Sequence, residues 1–224
     1  MYAFAFVQSI ESLTLPMGIA KPVECIVEGA IAAVVEPTLN LDTLQNDDDV
    51  LLQAVIKHDY VIQTLFAQTT VLPLRFGTYF VSREALVHHL QGQGDRYLAK
   101  LQALAGKAEY TVQLTPIDLA PPSAARSESG RSYFLAKKQH YQLQQEQQQQ
   151  RQESFQILLS AIAQHFPDCR IGEPKEGMER LYVLLPTSQE GILQSLLTNW
   201  SREATHWSVE VNTPLPPYHF AAEL

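Results

Sequence analysis

The sequence predicts an α+β protein made of two domains, and three observations lead to that prediction. Short runs rich in β-branched and aromatic residues alternate with longer runs that have helical periodicity. A stretch rich in proline, alanine and serine, residues 116–130, separates these runs into two sets and is typical of a linker. The apolar fraction of 46% in 224 residues is sufficient for a buried core in each set. We therefore expect one domain over 1–115 and a smaller one over 131–224.

The first domain begins with a strand, a pair of strands and a helix. The opening run YAFAFVQ (residues 2–8) is expected to place Tyr2, Phe4 and Phe6 on one face of a strand. The runs VECIVEG and AIAAVVEP then predict a hairpin. Three consecutive aspartates favour the start of a helix over 47–68, because carboxylates stabilise the positive end of the helix dipole.

A strand, a helix and a final strand complete the first domain. VLPLRFGTYF (71–80) is expected to be the strand, and Ser82 the cap of the helix, which Gly92 and Gly94 would divide in two. The closing strand, AEYTVQLTP, alternates cleanly between apolar and polar residues. This order predicts a ferredoxin-like variant, a sheet with helices on one side.

The second domain is expected to begin with a long helix from Arg131 to about Phe166. Its middle, QQEQQQQRQES (144–154), has no apolar residue, so it is either a polar helix or disordered. Strands near CRIGE, RLYVLLP and HWSVEVN and a helix over 188–203 follow. The proline-rich tail TPLPPYHFAAEL is expected to lie across the second domain as a polyproline strap anchored by Tyr218 and Phe220, with a ligand for proline-recognition modules as the alternative.

Composition excludes several classes of function. The formal net charge is −8, from 24 acidic and 16 basic residues, which argues against nucleic acid as a partner. The N-terminus lacks the basic and apolar regions of a signal peptide, and no window is long enough to span a bilayer. Cys25 and Cys169 are expected to be reduced thiols, although sequence alone leaves a disulfide open. We expect a soluble cytoplasmic protein with no membrane partner.

The motifs of common enzymes are absent from the sequence. It contains no GxSxG, no HExxH, no paired metal-ligand cysteines and no glycine-rich phosphate loop, so we expect no cofactor. The most promising pair for chemistry is His58–Asp59, where the histidine lies on the apolar stripe of its helix. We interpret His58 as a histidine at the edge of the core that is satisfied by a hydrogen bond, with an acid–base or ligand role as the alternative.

The stretch VLPLRFGTYF raises a separate question, because a strand rarely carries a proline, an arginine and a glycine among bulky apolar residues. If the face that carries Arg75 is packed, the guanidinium needs a carboxylate or backbone carbonyls as a partner. We expect Arg75 to be an internal pin, paired with Asp59 on the preceding helix. The alternative is that Arg75 faces a partner molecule and that Gly77 allows its backbone to approach closely.

Four segments, in this order and spacing, resemble the GvpF/GvpL family of gas vesicle proteins. They are HDYVIQTLFAQTTVLPLRFGTYF, LAGKAEYTVQL, SGRSYFLAKK and PLPPYHF, and the resemblance extends over nearly the whole chain. The modest length and the ordinary acidity indicate an F-type member from a non-halophilic bacterium, with a cyanobacterium as the expected source. The family motif positions, which the resemblance marks as candidate interaction residues, are His58, Asp59, Pro73, Arg75, Phe76, Gly77, Gly130, Arg131, Tyr133, Pro216, Pro217, Tyr218 and Phe220.

The resemblance implies a minor, non-enzymatic component of the gas vesicle, within the cytoplasm. It implies a role in vesicle nucleation and assembly through binding to the hydrophobic main shell protein GvpA and to other minor gas vesicle proteins. One alternative is a transient, chaperone-like assembly factor that is not retained in the particle. Another is a small-molecule-binding or enzymatic domain that uses His58 and Asp59, which would require a concave pocket beside them.

Overall fold

The computed structural model describes residues 1–9, 12–39, 47–117, 130–204 and 206–221. These residues form an α+β structure with two four-stranded antiparallel sheets and five helices. The strands are β1 (Tyr2–Gln8), β2 (Glu24–Glu28), β3 (Ile31–Glu36), β4 (Val71–Pro73), β5 (Lys107–Pro116), β6 (Cys169–Ile171), β7 (Glu179–Pro186) and β8 (Trp207–Val211). The helices are α1 (Asp48–Phe66), α2 (Arg83–Leu104), α3 (Gly130–His165), α4 (Glu190–Glu203) and α5 (Tyr218–Ala221).

The chain divides into two compact units whose boundaries differ from the expected ones. Unit 1 combines Met1–Glu109 with the C-terminal segment Pro214–Leu224, and unit 2 is Tyr110–Thr213. The division therefore falls inside β5, whereas the sequence pattern placed it in the linker at 116–130. The assignment of the tail to the second domain is also corrected, because the tail packs with the N-terminal residues of unit 1.

In unit 1 the sheet has the order β2-β3-β1-β4 and lies between two helices. The ring of Phe4 stacks on His58 of α1, with 5.3 Å between centroids, whereas the ring of Phe6 stacks on Tyr97 of α2 at 4.6 Å. A β-bulge around Phe4 shifts the register of β1 and turns the next aromatic residue to the other face. The helices therefore cover opposite faces of the sheet, which corrects the expected one-sided arrangement and the common face for the three aromatic residues.

Coverage on both faces explains the composition of the central strands. Six of the seven residues of β1 and all six of β3 are buried, and both strands are almost continuously apolar. The two helices begin at side-chain caps, Asp47 for α1 and Ser82 for α2. Helix α2 continues through Gly92 and Gly94, contrary to expectation, because its buried face of Leu86, Leu90, Tyr97 and Leu101 packs along its whole length.

The expected strand over 71–80 is interrupted after three residues. Strand β4 ends at Pro73, and the backbone then turns so that the amide of Thr78 donates to the carbonyl of Arg75 at 3.1 Å. Gly77 has a φ of 89°, which glycine adopts without the steric cost that other residues incur. The chain returns to β1 at Tyr79, which forms a bridge with Tyr2. Residues 74–78 are therefore an excursion from the edge of the sheet.

Unit 2 contains the sheet β6-β7-β5-β8 together with α3 and α4. The glutamine-rich residues 144–154 lie within α3, which at about 1.5 Å per residue is roughly 54 Å long. Arg151 links this part of α3 to the rest of unit 2, because the Arg151 side chain donates to the carbonyl of Ile117 at 2.6 Å. The indole nitrogen of Trp207 also donates to the carbonyl of Arg151, at 3.2 Å. The buried apolar residues of the unit include Leu158, Ile162, Val183, Leu185, Leu193 and Leu197.

Cys25 in β2 and Cys169 in β6 are free, half-buried thiols, and burial raises the pKa of each. None of the helices in the described ranges has the length and apolarity needed to cross a lipid bilayer.

Candidate functional site

Most of the family motif positions meet in unit 1, although they come from three distant parts of the chain. His58 and Asp59 lie in α1, residues 73–77 form the end of β4 and the turn after it, and residues 216–220 belong to the C-terminal tail. We call this group of three segments the motif cluster. Its parts are connected by aromatic contacts and by hydrogen bonds.

His58 is the centre of the motif cluster and is 6% exposed. Its ring stacks on Phe4 and meets the edges of Tyr2 and Phe76, with 5.6 Å between centroids in each of the two edge contacts. Both ring nitrogens have partners: Nδ1 lies 2.7 Å from the Tyr2 hydroxyl, and Nε2 lies 3.1 Å from the carbonyl oxygen of Leu74. Because a carbonyl only accepts, Nε2 carries the proton and Nδ1 accepts from Tyr2.

Burial keeps this histidine neutral. Desolvation lowers the pKa of His58, and the hydrogen bond to Leu74 and the charge of Asp59 oppose that effect less strongly. Desolvation also raises the pKa of Tyr2, so its hydroxyl keeps the proton that it donates. The geometry matches the interpretation of His58 as a core histidine satisfied by hydrogen bonds, and it leaves neither ring nitrogen open to a substrate.

The turn after β4 is held at both of its ends by these core side chains. His58 binds the carbonyl of Leu74, and the amide of Gly77 donates a long hydrogen bond of 3.4 Å to the Tyr2 hydroxyl. Phe76 packs its half-buried ring against the same group. Pro73 is buried in β4, where a missing amide proton is tolerated because β4 is an edge strand.

Arg75 occupies the exposed part of this turn, which corrects its expected role as an internal pin. Its side chain is exposed, and across the described ranges no carboxylate lies within ion-pair distance of the guanidinium. The expected partner, Asp59, instead accepts hydrogen bonds from Gln63 at 2.6 Å and from the hydroxyl of Tyr218. The turn thus presents an arginine to solvent on a backbone that is hydrogen-bonded to His58 and Tyr2.

Tyr218 connects the C-terminal tail to α1. Its ring packs against the core cluster of unit 1, and its hydroxyl donates to Asp59. Burial raises the pKa of Tyr218, and the hydrogen bond to the carboxylate raises it further. This contact joins two of the three segments of the motif cluster directly.

A second connection of the tail runs through Glu109, a carboxylate that is 1% exposed. It accepts from the backbone amide of His219 at 2.7 Å and lies 2.6 Å from Nδ1 of the same residue. The backbone of Glu109 also exchanges two hydrogen bonds with that of Leu215. Pro216 and Pro217 are buried beside these contacts, and Phe220 is half-buried. The tail is therefore a strap on unit 1, which corrects its expected position across the second domain.

The remaining motif positions belong to unit 2. Gly130, Arg131 and Tyr133 lie in the first turn of α3, and their side chains are outside the described part of the structure.

Three buried polar residues of unit 1 were not singled out from the sequence. Tyr2 was assigned to the sheet only for its apolar ring, and Glu109 appeared as an outward residue of an alternating strand. Glu36 is 0% exposed, and its carboxylate accepts from the backbone amides of residues 19–21 at 2.7–3.0 Å. The sequence offered one signal for Glu36, which is its position at the end of an otherwise apolar strand. A carboxylate that is buried there requires hydrogen-bond donors.

An open cleft of about 240 Å³ lies elsewhere in unit 1, between the turn that joins β2 to β3 and helix α2. Its lining includes Glu28, Gln91 and Asp95, and Gln91 donates to Glu28 at 3.2 Å. It contains no histidine or cysteine. In the parts of the chain that the structure describes, no three histidine, cysteine, aspartate or glutamate side chains are grouped to hold a metal ion.

Comparisons with known proteins match one family over nearly the whole chain. The family model described as gas vesicle synthesis protein GvpL/GvpF matches residues 1–222. Gas vesicle protein F of Streptomyces sp. (strain CB03234) is 26% identical over 217 residues, which cover 89% of this chain and 88% of that protein.

Two solved structures have the same fold. The crystal structure of the gas vesicle protein GvpF from Anabaena sp. PCC7120 has a TM-score of 0.71 at 19% identity, covering 98% of this chain and 94% of that chain. The crystal structure of GvpF from Microcystis aeruginosa has a TM-score of 0.70 at 15% identity and covers 98% of each chain.

Proposed function

This chain belongs to the GvpL/GvpF family of gas vesicle synthesis proteins, and from that membership we propose that it is a minor, non-enzymatic component of the gas vesicle needed for vesicle nucleation and assembly. The observation that carries the proposal is the family match, which extends over residues 1–222. The three relatives described above are all named as F proteins, which supports an F-type role for this chain.

The proposed partners are the main shell protein GvpA and other minor gas vesicle proteins, and the proposed location is the gas vesicle within the cytoplasm. The motif cluster supports a binding role because its buried residues position other residues that are accessible to a partner. His58 and Tyr2 fix the backbone of the turn after β4, and Arg75 is displayed on it. A preorganised surface of this kind loses little conformational entropy when a partner binds.

The same geometry supports a non-enzymatic protein over the alternative built on His58 and Asp59. A general base needs an open approach to its substrate, whereas both nitrogens of His58 are bound within the protein. The carboxylate of Asp59 accepts hydrogen bonds from Tyr218 and Gln63, whereas both ring nitrogens of His58 bind other groups. The two side chains therefore do not form a joint acid–base pair.

Immunogold labelling of purified gas vesicles, intact and after opening, tests this proposal. A retained component is expected to copurify with the vesicles and to be labelled on one wall or the other. Labelling only after opening would place it on the gas-facing wall, and labelling of intact particles would place it outside. A protein found in the soluble fraction, with no label on either preparation, would instead be a transient assembly factor and would overturn the structural role.

A second measurement tests the assembly role itself. Deletion of the gene is expected to abolish or strongly reduce vesicle formation, and expression of the wild-type chain is expected to restore it. Normal vesicle numbers and dimensions in the deletion strain would contradict a need for this protein in nucleation.

A further inference from the structure

Helix α1 is apolar on two sides, although only one side packs on the sheet. Its buried face consists of Ala54, His58, Val61, Ile62 and Leu65. A second set of apolar residues points away from the core: Leu52 is 56% exposed, Val55 40%, Ile56 51% and Tyr60 58%. Their spacing of three and four residues aligns them along the helix. Single exposed apolar residues are common, but four on three helical turns form a continuous patch.

The charged residues on this side of α1 are acidic. Asp48 and Asp49 are exposed at the N-terminal end of α1, on the same side of the helix as Leu52. Asp59 lies between Ile56 and Tyr60, and its carboxylate forms the hydrogen bond to Tyr218. The lysine of α1, Lys57, donates to the carbonyl of Ile19 at 2.9 Å and so projects toward the edge of the helix. We call Asp48, Asp49, Leu52, Val55, Ile56, Asp59 and Tyr60 the outer face of α1.

We propose that the outer face of α1 is the docking surface for an apolar segment of the main shell protein that carries a basic residue near one end. This inference rests on the proposed function and assigns a site to it. An apolar strip with carboxylates at both ends is complementary to a segment with an apolar side and a cation near one end. From Asp48 to Tyr60 the face extends about 18 Å, slightly more than three helical turns.

Charge argues against a second copy of this chain as the occupant. Pairing two outer faces about a twofold axis would bring carboxylates of the same sign together along the strip, without a cation on either face to offset them. The net charge of −8 on each chain adds a repulsion between copies. The outer face also adjoins the motif cluster through Asp59, so a partner seated on α1 would meet the strap formed by the tail.

Binding of the main shell protein, kept soluble as a fusion to maltose-binding protein, provides the test. The double variant Leu52→Glu/Ile56→Lys replaces two apolar side chains of the outer face, keeps the net charge and adds a favourable i,i+4 ion pair on the helix. The expected result is a dissociation constant raised by about tenfold or more relative to wild type, because two buried apolar contacts are lost. Affinity should also fall with rising salt, because a basic residue meets the carboxylates.

The matched control is Ile157→Lys/Ile192→Glu, which changes two exposed aliphatic residues on helices of unit 2, 64% and 51% exposed. Its affinity should equal that of wild type. Circular dichroism and thermal melting verify that each variant is folded, and Tyr60→Gln is the second outer-face variant should the double variant unfold. A larger dissociation constant, which means weaker binding, is then expected for Tyr60→Gln.

The outcomes separate the inference from the proposed function. Equal binding by wild type and by the outer-face variants would overturn the docking site while leaving the shell-protein interaction intact. No binding by wild type would overturn the shell protein as the partner, and the docking site with it. Dimerisation of the wild type in light scattering, abolished by Leu52→Glu/Ile56→Lys, would identify a second copy as the occupant and overturn the proposal.

Discussion

The hydroxyl of Tyr218 donates a hydrogen bond to Asp59, a residue that lies 159 positions earlier in the chain. At the next position of the tail, His219 binds the buried carboxylate of Glu109 through both its backbone amide and its ring. The last residues of the chain therefore complete a unit that is otherwise built from the first 109. The stability of unit 1 should depend on these contacts.

Tyr218→Phe tests the first contact. The change removes the hydroxyl while keeping the packed ring, and it leaves Asp59 with Gln63 as a partner. We expect the free energy of unfolding to fall by about 1–2 kcal/mol, the range for a hydrogen bond to a charged group at a partly buried site. Urea denaturation at neutral pH measures the change. Tyr60→Phe, at a tyrosine that is 58% exposed on the same helix, is the control and should be nearly neutral.

Glu109→Gln tests the second contact. The amide keeps the size of the side chain and one acceptor oxygen, but it cannot accept from both the amide and the ring nitrogen of His219 as the carboxylate does. We expect a loss of about 1–3 kcal/mol in the free energy of unfolding. Glu210→Gln, on an exposed position of β8, is the matched control. Equal stability of the two variants would show that the contact between Glu109 and His219 contributes nothing measurable.

Arg75→Ala should leave stability nearly unchanged, within about 0.5 kcal/mol, because the side chain is exposed and makes no ion pair with a described residue. An internal pin, the role expected from the sequence, would instead cost several times more. Thermal denaturation followed by circular dichroism distinguishes the two. Under the proposed function the same variant should weaken binding of the shell protein, which would make the turn a contact surface.

Gly77 and Gly92 form a pair with opposite expected effects. Gly77 has a φ of 89°, so Gly77→Ala should destabilise by about 1–2 kcal/mol even though space for a Cβ exists there. Gly92 lies inside α2, and outside its neighbours and its own helix backbone no atom comes within 4 Å of the place that an alanine Cβ would take, so Gly92→Ala should stabilise by about 0.5–1 kcal/mol. Urea denaturation of both variants measures the signs. The same sign for both would contradict the assigned backbone conformations.

The periodicity of the sequence predicted the elements of the fold better than their arrangement. The N-caps at Asp47 and Ser82 were recognisable because capping depends on neighbouring residues only. The bulge around Phe4 was not recognisable, because a bulge is an extra residue relative to the partner strand, here β3. The sequence of β1 by itself carries no sign of it. Missing it placed Phe4 and Phe6 on one face and both helices on one side of the sheet.

Only part of the motif cluster could be predicted from the sequence. The motif positions His58, Asp59 and Tyr218 could be identified, but their partners depend on tertiary contacts that span up to 159 residues. Asp59 was expected to pair with Arg75, the nearest cation in the motif, whereas the protein satisfies it with a tyrosine from the tail. Local charge complementarity is a weak guide when a solvent-exposed arginine loses little by remaining hydrated.

The buried histidine predicts a loss of stability in mild acid. Burial lowers the pKa of His58 below its ordinary value of 6.5, so the unfolded chain binds a proton before the folded protein does. Stability is fully present above pH 6.5 and should decline as the pH falls below that value, by at most about 1.4 kcal/mol per pH unit for this one group. The decline from His58 ends once the pH passes below its folded pKa.

His89 should contribute in the same direction, because burial lowers its pKa too. His58→Gln removes one titrating group, so the variant should be less stable at pH 7, through the lost ring packing, but should lose less stability between pH 7 and pH 5. Urea denaturation at constant ionic strength over that range measures both slopes, with Tyr60→Phe expected to follow the wild-type slope. If wild type and His58→Gln have equal slopes, the pKa of His58 is the same in the folded and unfolded protein, which would contradict the lowering of that pKa by burial.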